Sequence, residues 1–301
     1  QRASRLGLMP LADLLSAEIS RALERPFDAE SIGETGGGCI HRATVLEGGG
    51  ERWFVKLNAA DALPMFEAER EGLAALADAD AFRVPSPLCC GVIGEQAYLA
   101  LEHLDLRPVA MREEATAFGR ALATLHRTSG ARYGWRRDNF IGATPQINTE
   151  SDSWARFFAA SRLRPQIERA AAHGRALQKK GESLAEKLPA FFLDHRPQPS
   201  LLHGDLWGGN VGACDGQPVI FDPAVYYGDR ETDIAMTRLF GGFGPRFYAA
   251  YQATWPLDQA AGTRCTLYNL YHVLNHFNLF GGGYGRQAEG MIEQLLAEFG
   301  A

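Results

Sequence analysis

The stretch LLHGDLWGGNVG, Leu201 to Gly212, sets a histidine two places before an aspartate and an asparagine five places after it. Single Asp and Asn residues are ordinary turn formers, so the weight rests on their combination with the residues immediately downstream. Those residues, ACDGQPVIFDPA, carry an Asp-Gly turn signal at Asp215 and Gly216 between two short β-prone runs, which predicts a hairpin. With that hairpin folded symmetrically, Asn210 and Asp222 are expected opposite one another, and Asp205 in the loop leading in. Directly opposed residues have Cβ atoms roughly 4.5–5.5 Å apart. An amide oxygen and a carboxylate at that separation can share one hard cation such as Mg²⁺. A carboxylate to accept the proton of an attacking hydroxyl, with oxygen ligands for a phosphate-bound cation, is the equipment of phosphoryl transfer.

The spacing H-x-D-x-x-x-x-N from His203 matches the protein-kinase catalytic loop, and Asp222, in Asp222-Pro223-Ala224, stands where the D-F-G aspartate of that superfamily falls. His203 is expected to brace the loop, since a second titrating group is not required. The other parts occur upstream in order. HRATVLEGGGERWFVKL, residues 41–57, has two β-prone runs around three glycines, and strand alternation puts Lys56 on one face with Phe54 and Asn58, opposite Val55 and Leu57. In PMFEAEREGLAAL, residues 64–76, Pro64 suits the first position of a helix, and Phe66, Glu69, Leu73 and Leu76 recur at helical spacing. Glu69 therefore lies on the apolar face, while Glu67 and Glu71 fall elsewhere and stay solvated. A buried carboxylate needs a partner, and Lys56 is the candidate, in a pair that would hold nucleotide phosphates. Gly36, Gly37 and Gly38 precede the first hairpin strand, where backbone N–H groups could lie over phosphates, although the run departs from G-x-G-x-x-G. Cys39 abuts that loop, either as a half-buried thiol or as one whose oxidation would block nucleotide entry.

With 301 residues, 46% of them hydrophobic, the chain can fill one large domain or two lobes. A net charge of -6 and a pI near 5.8 argue against a sequence-independent grip on nucleic acid or on an anionic membrane. No run of about 18 apolar residues is present, and QRASRLGLMPLADLL lacks a long apolar segment with a small-residue cleavage site, so a cytoplasmic protein is expected. Five scattered cysteines without a C-x-x-C pair fit neither a disulfide framework nor a zinc site.

Strand-like runs and helices mix over the first hundred residues, and helical patterns dominate afterwards. This predicts an α+β chain of two lobes: a mainly β nucleotide-binding lobe over 1–101 with the Glu69 helix, a connection at 102–105, and a larger helical catalytic and substrate-binding lobe over 106–301. Helical patterns cover 112–127, with Phe118, Leu122 and Leu125 inward, and 153–172, 181–195, 230–240 and 266–280. On the last of these, His272, Asn275 and His276 read first as satisfied polar groups of the core, with lining of the acceptor pocket as the alternative.

HGDLWGGN (203–210), FDPAVYYGDRETDIAM (221–236), MFEAE (65–69) and NFIGATPQIN (139–148) together resemble the fructosamine kinase, or ketosamine kinase, family, relatives of the aminoglycoside phosphotransferases within the protein-kinase-like fold. The resemblance covers nearly the whole chain. It implies transfer of the ATP γ-phosphate to the 3-hydroxyl of a ketosamine, giving an unstable product that releases the amine and so serves deglycation and protein repair. By the same resemblance Asp205 is the proton acceptor, Asn210 and Asp222 hold Mg²⁺, and Lys56 with Glu69 forms the phosphate-binding pair. The backbone of Glu102, His103 and Leu104 would meet adenine. Trp207 borders the family's acceptor pocket, where it packs on the sugar or else belongs to the core between lobes. Asp233 resembles the helix aspartate that braces the catalytic loop. Two other readings stay open: a kinase for an aminoglycoside, choline or another small alcohol, and a nucleotide-binding module without catalysis.

Overall fold

In the computed structural model, which describes residues 10–35, 42–109 and 113–299, helix α1 (Leu11–Leu23) is followed by strands β1 (Ser31–Thr35), β2 (Arg42–Gly48) and β3 (Glu51–Ala59). Helix α2 (Leu63–Asp78) comes next, and β4 (Pro87–Ile93) and β5 (Gln96–Glu102) complete an antiparallel sheet in the order β1-β2-β3-β5-β4. The β2–β3 hairpin turns at Gly49 and Gly50, as the glycine triplet predicts. Gly36, Gly37, Gly38 and Cys39 lie outside the described residues.

The alternation in β3 is the one expected. Val55 and Leu57 are buried in a cluster with Leu15, Ile19, Leu46 and Tyr98, whereas Phe54 and Lys56 face a cleft. Pro64 sits in the first turn of α2, where its missing N–H costs nothing. The α2 residues Phe66, Leu73 and Leu76 are fully buried in a cluster that also takes in Phe118, Leu122, Leu125, Leu201 and Leu206 from the later part of the chain. Each such side chain contributes roughly 1.5–3 kcal/mol, so the helix carrying Glu69 is anchored on both sides of the cleft. Glu67 and Glu71 are not merely solvated. Arg137 approaches them at 3.8 and 3.1 Å, and Arg136 lies 2.9 Å from Glu71.

Beyond residue 105 the chain forms α3 (Glu113–Arg127), a small hairpin of β6 (Asn139–Ile141) and β7 (Thr144–Gln146), and α4 (Trp154–Phe158), which passes through a π-helical turn (Ala159–Leu163) into α5 (Arg164–Ala170). Helix α6 (Arg175–Lys187) precedes β8 (Ser200–Leu202), β9 (Val211–Cys214), β10 (Gln217–Ile220) and β11 (Tyr226–Gly228). Helices α7 (Glu231–Leu239), α8 (Pro245–Thr254), α9 (Ala261–Phe280) and α10 (Tyr284–Ala297) complete the chain. A second core, with Trp154, Phe158, Ile167, Tyr268 and Ile292, binds these helices together.

The helix expected over 153–172 is thus broken by the π turn, and that expected over 181–195 starts at Arg175 and ends at Lys187, ahead of Pro189. No helix among the described residues is long and apolar enough to cross a membrane.

Candidate active site

Strand β3 and helix α2 bring Lys56 and Glu69 together: Nζ lies 2.6 Å from Oε1, and both side chains are nearly inaccessible. The same ammonium also hydrogen-bonds Asp222, which enters from the far side of the cleft. Burial alone would lower the Lys56 pKa, but the charges of Asp222 and Glu69 outweigh it and hold the lysine protonated. A strand lysine without such partners would be solvated.

The loop from β8 is held by one buried carboxylate. Asp233, on α7, accepts hydrogen bonds from the backbone N–H of His203 (2.8 Å) and of Gly204 (2.9 Å), and its Oδ2 lies 3.1 Å from Nε2 of His126. Burial works against its charge, but the His126 bond and the two N–H groups keep its pKa low. His203 Nε2 lies 2.9 Å from the Phe221 carbonyl, an obligate acceptor, so Nε2 carries the proton and Nδ1 accepts from Asp205 N–H at 3.2 Å. Burial depresses its pKa, and the imidazole braces the loop as a neutral ring. Gly204 has φ 83°, and a Cβ there would stand 2.0 Å from the Ala224 carbonyl oxygen, so no other residue fits.

The hairpin corrects one expectation. Its register pairs Ile220 with Val211, and the next backbone bond runs from Phe221 N–H to the Asn210 carbonyl, so Asn210 opposes Phe221 and Asp222 lies one residue beyond. Asp222 reaches the site instead through a left-handed backbone, φ 55°, which an aspartate adopts more readily than most residues. Asn210 donates from Nδ2 to the Asp205 carbonyl at 2.9 Å and to Asp205 Oδ2 at 3.2 Å. The carbonyl can only accept, so the amide is oriented and Oδ1 is left for another donor or a cation. Two carboxylates, Glu69 and Asp222, engage the ammonium of Lys56, and a third, Asp205, lies in the same cleft without a cationic partner. Burial first, and the charge of Asp222 second, push the Asp205 pKa up to about 7. This excess negative charge, with an amide oxygen and carboxylate oxygens as donors, suits a hard divalent cation.

Lys56, Glu69, Asp205, Asn210 and Asp222 line a cleft of about 930 Å³, together with Glu102, His103, Leu104 and Trp207. The side chain of Glu102 pairs with Arg83 and accepts from Ser86 N–H at 3.2 Å, which fixes the strand end. The Leu104 N–H makes no hydrogen bond among the described residues. Trp207 is no part of the core. It is 39% exposed, sits 6.0 Å from Phe240 in an edge contact, and lies so close over the backbone that a Cβ on Gly209 would be 2.3 Å from its ring. The preferred reading of α9 is likewise revised, and the alternative holds for two of its three residues. His272 is buried with Nδ1 unpartnered, whereas Asn275 and His276 line the cleft. His276 packs at tilted angles among Phe240, Phe280 and Tyr284, with ring centroids 4.9, 5.6 and 5.2 Å away.

Several supporting residues escape sequence reasoning. His126 carries no local signal for its bond to Asp233. Within NFIGATPQIN, Asn139 donates to the Val225 carbonyl at 2.8 Å, and Gln146 to the Ala224 carbonyl at 3.0 Å and to Asn139 Oδ1 at 2.8 Å. Tyr271 OH caps Gln146 at 2.8 Å. These buried amides fix the backbone just after Asp222. Among the described residues, His195, Asp229 and Glu231 have metal-ligand spacing. Arg264 engages Glu231 through two bonds, Tyr268 donates to Asp229, and His195 bonds Asp229 at 2.7 Å, so the group is an internally satisfied ion network.

A sheet bearing an ion-paired lysine, joined across a cleft to a loop with an aspartate and an asparagine, defines the protein-kinase-like class of small-molecule phosphotransferases. The crystal structure of "aminoglycoside phosphotransferase APH(4)-Ia" in a ternary complex has a TM-score of 0.64 to this chain at 15% identity, covering 96% of this chain and 98% of that one. That likeness shows the fold alone. The chain belongs to the fructosamine kinase family, whose model matches residues 11–298. It is 45% identical to a "Probable ketoamine kinase" of Synechocystis sp., over 94% of this chain and 96% of the other, and 38% identical to the chloroplastic "Protein-ribulosamine 3-kinase" of Oryza sativa subsp. indica, over 88% and 78%. The crystal structure of "Putative fructosamine-3-kinase" from Haemophilus somnus 129PT has a TM-score of 0.87 at 28% identity, covering 94% and 96% of the two chains.

Proposed function

We propose that the protein is an ATP-dependent kinase that phosphorylates the 3-hydroxyl of ketosamines, carried on a small amine or on a protein. The observation that carries this reading is the meeting of Lys56 with both Glu69 and Asp222 at a cleft whose floor holds Asp205 and Asn210. In this reading residues 1–101 form the nucleotide lobe, 102–105 the connection, and 106–301 the catalytic lobe. Lys56 holds nucleotide phosphates, with Glu69 keeping it in place. The Leu104 N–H is available to adenine, and Gly36, Gly37 and Gly38 would cover the phosphates. Asp205 accepts the proton of the attacking hydroxyl through its free carboxylate oxygen, while Asn210 fixes the other. Asn210 Oδ1 and the Asp222 carboxylate would hold Mg²⁺, which when bound neutralises phosphate charge as the phosphoryl group transfers.

The acceptor end of the cleft favours a sugar over a multiply charged amine. Among the described residues its wall is Trp207, Phe240, His276, Phe280 and Tyr284, without the carboxylates that a multiply cationic aminoglycoside would call for; choline, which aromatic faces can also hold, is separated by the assay. ADP release with MgATP tests the proposal against ribulose-lysine, fructose-lysine, choline and an aminoglycoside. Turnover should be confined to the ketosamines and fall roughly 10²–10⁴-fold in Asp205→Asn, with MgATP affinity unchanged. Turnover on choline or the aminoglycoside alone, or full activity in the variant, would overturn it.

A further inference from the structure

Asn275 is 3% exposed, yet it lines the cleft on the wall shared with His276 and Phe240. Its amide orientation is fixed by a short chain of hydrogen bonds that starts at an atom of known polarity. Nδ2 of Asn278 lies 3.0 Å from the backbone carbonyl of Gln166, which can only accept, so this atom is the nitrogen. The same nitrogen lies 2.7 Å from the Gln166 side chain, whose near atom must therefore be Oε1. The Gln166 amide nitrogen then faces outward and donates to Asn275 Oδ1 at 3.2 Å. With its oxygen taken, Asn275 can present only its NH₂ group to the cleft. That group has no hydrogen-bond partner among the described residues and is not sealed from solvent. Gln166 is 2% exposed, so the relay is anchored in the core between α5 and α9.

A fixed donor that cannot turn over into an acceptor recognises an oxygen that can receive a hydrogen bond and disfavours a group that can only donate. In a ketosamine, the oxygen next to the 3-hydroxyl on the C2 side is the carbonyl, which can only accept. We infer that the Asn275 amide donates a hydrogen bond to the C2 carbonyl of the acceptor, and that Gln166 is a positioning residue that sets its polarity. The inference rests on the acceptor class proposed above. It adds that this wall supplies a hydrogen-bond donor to the oxygen beside the reacting carbon, a bond that a hydroxyl on C2 can also receive. A site built to donate to an oxygen disfavours any acceptor that fails to receive that bond, because filling the cleft then strips water from the donor without giving it a partner.

The test compares ribulose-lysine with its borohydride-reduced analogue, in which C2 carries a hydroxyl and the amine keeps its charge. Asn275→Asp replaces the donor by a carboxylate oxygen, which a C2 hydroxyl can satisfy by donating and a carbonyl cannot. The ratio of kcat/KM for ketosamine over reduced analogue should fall about 10-fold or more in Asn275→Asp, with the KM for ATP held within about twofold. Asn275→Ala removes the donor without supplying an acceptor and should lower kcat/KM on both compounds, leaving the ratio near that of the wild type. Gln166→Leu frees the amide to rotate and should raise the acceptor KM with the ATP KM unchanged. Equal losses on both acceptors in Asn275→Asp, or a wild-type ratio, would overturn the inference. Wild-type protein inactive on every ketosamine, or Asp205→Asn fully active, would instead remove the functional reading beneath it, so the two failures are separable.

Discussion

The two ends of the cleft are built on opposite principles. At the phosphate end, Lys56, Glu69, Asp205 and Asp222 crowd charge into a poorly solvated space. At the end proposed to hold the acceptor, Trp207, Phe240, His276 and Phe280 offer ring faces and edges, and burial keeps His276 neutral by lowering its pKa. In the proposed reading, the difference reflects the ligand group that each end would hold. Phosphates and a divalent cation need fixed charges of both signs whose positions cost nothing to reorganise. A sugar needs flat apolar surface for its C–H faces and a few oriented polar groups for its oxygens.

Substitutions at the two ends should therefore fail in different ways. Lys56→Met leaves Glu69 buried beside Asp222 with no partner and should cost ~3–5 kcal/mol in denaturant unfolding; a loss under about 1 kcal/mol would mean that the pair is well solvated. Trp207→Ala removes ring surface at the other end. It should cost ~1.5–3 kcal/mol of transition-state binding, roughly 10–150-fold in kcat/KM for ribulose-lysine, with the ATP KM within about twofold. Parallel losses for both substrates would erase the division of the cleft.

A third prediction concerns pH. Burial, with a smaller contribution from His276, pushes the His272 pKa down to about 3. The folded state therefore refuses a proton that the unfolded chain takes up below its ordinary value near 6.5. Stability is full above that value and falls as the solution is acidified, by about 2 kcal/mol at pH 5. Unfolding free energies at pH 7 and pH 5 should differ by roughly that much less in His272→Gln than in the wild type. An unchanged difference would mean that His272 is solvated. The smallest effect is expected for Arg137→Ala, whose half-exposed pairs with Glu67 and Glu71 should cost ~0.2–1 kcal/mol and weaken further in salt.

Legibility in the sequence tracks how locally each feature is encoded. Lys56 and Glu69 are readable because strand and helix periodicities dictate a face without knowledge of the rest of the fold. Asp205, Asn210 and Asp222 are readable because a loop and a hairpin carry them within 18 residues, although a one-residue error in the hairpin register misplaces the Asn210 partner. His126, Asn139 and Gln146 are not readable as braces. Their partners lie 107, 86 and 78 residues away in sequence, and an isolated His, Asn or Gln has many other uses. The same holds on α9, where Asn275 and His276 read first as satisfied core groups although the folded helix passes along the cleft.

By itself, the sequence determined the two-part α+β plan, the ion-paired lysine and the catalytic loop, because each is specified by periodicity or by spacing within one or two neighbouring elements. Only the tertiary structure decided which way the Asn275 amide points, that Trp207 faces the cleft, and that Asp233 holds His126 and two backbone N–H groups at once. Those facts depend on side chains that meet across long stretches of chain, where direction is set by the packing of several elements together and by the need to satisfy every buried polar group.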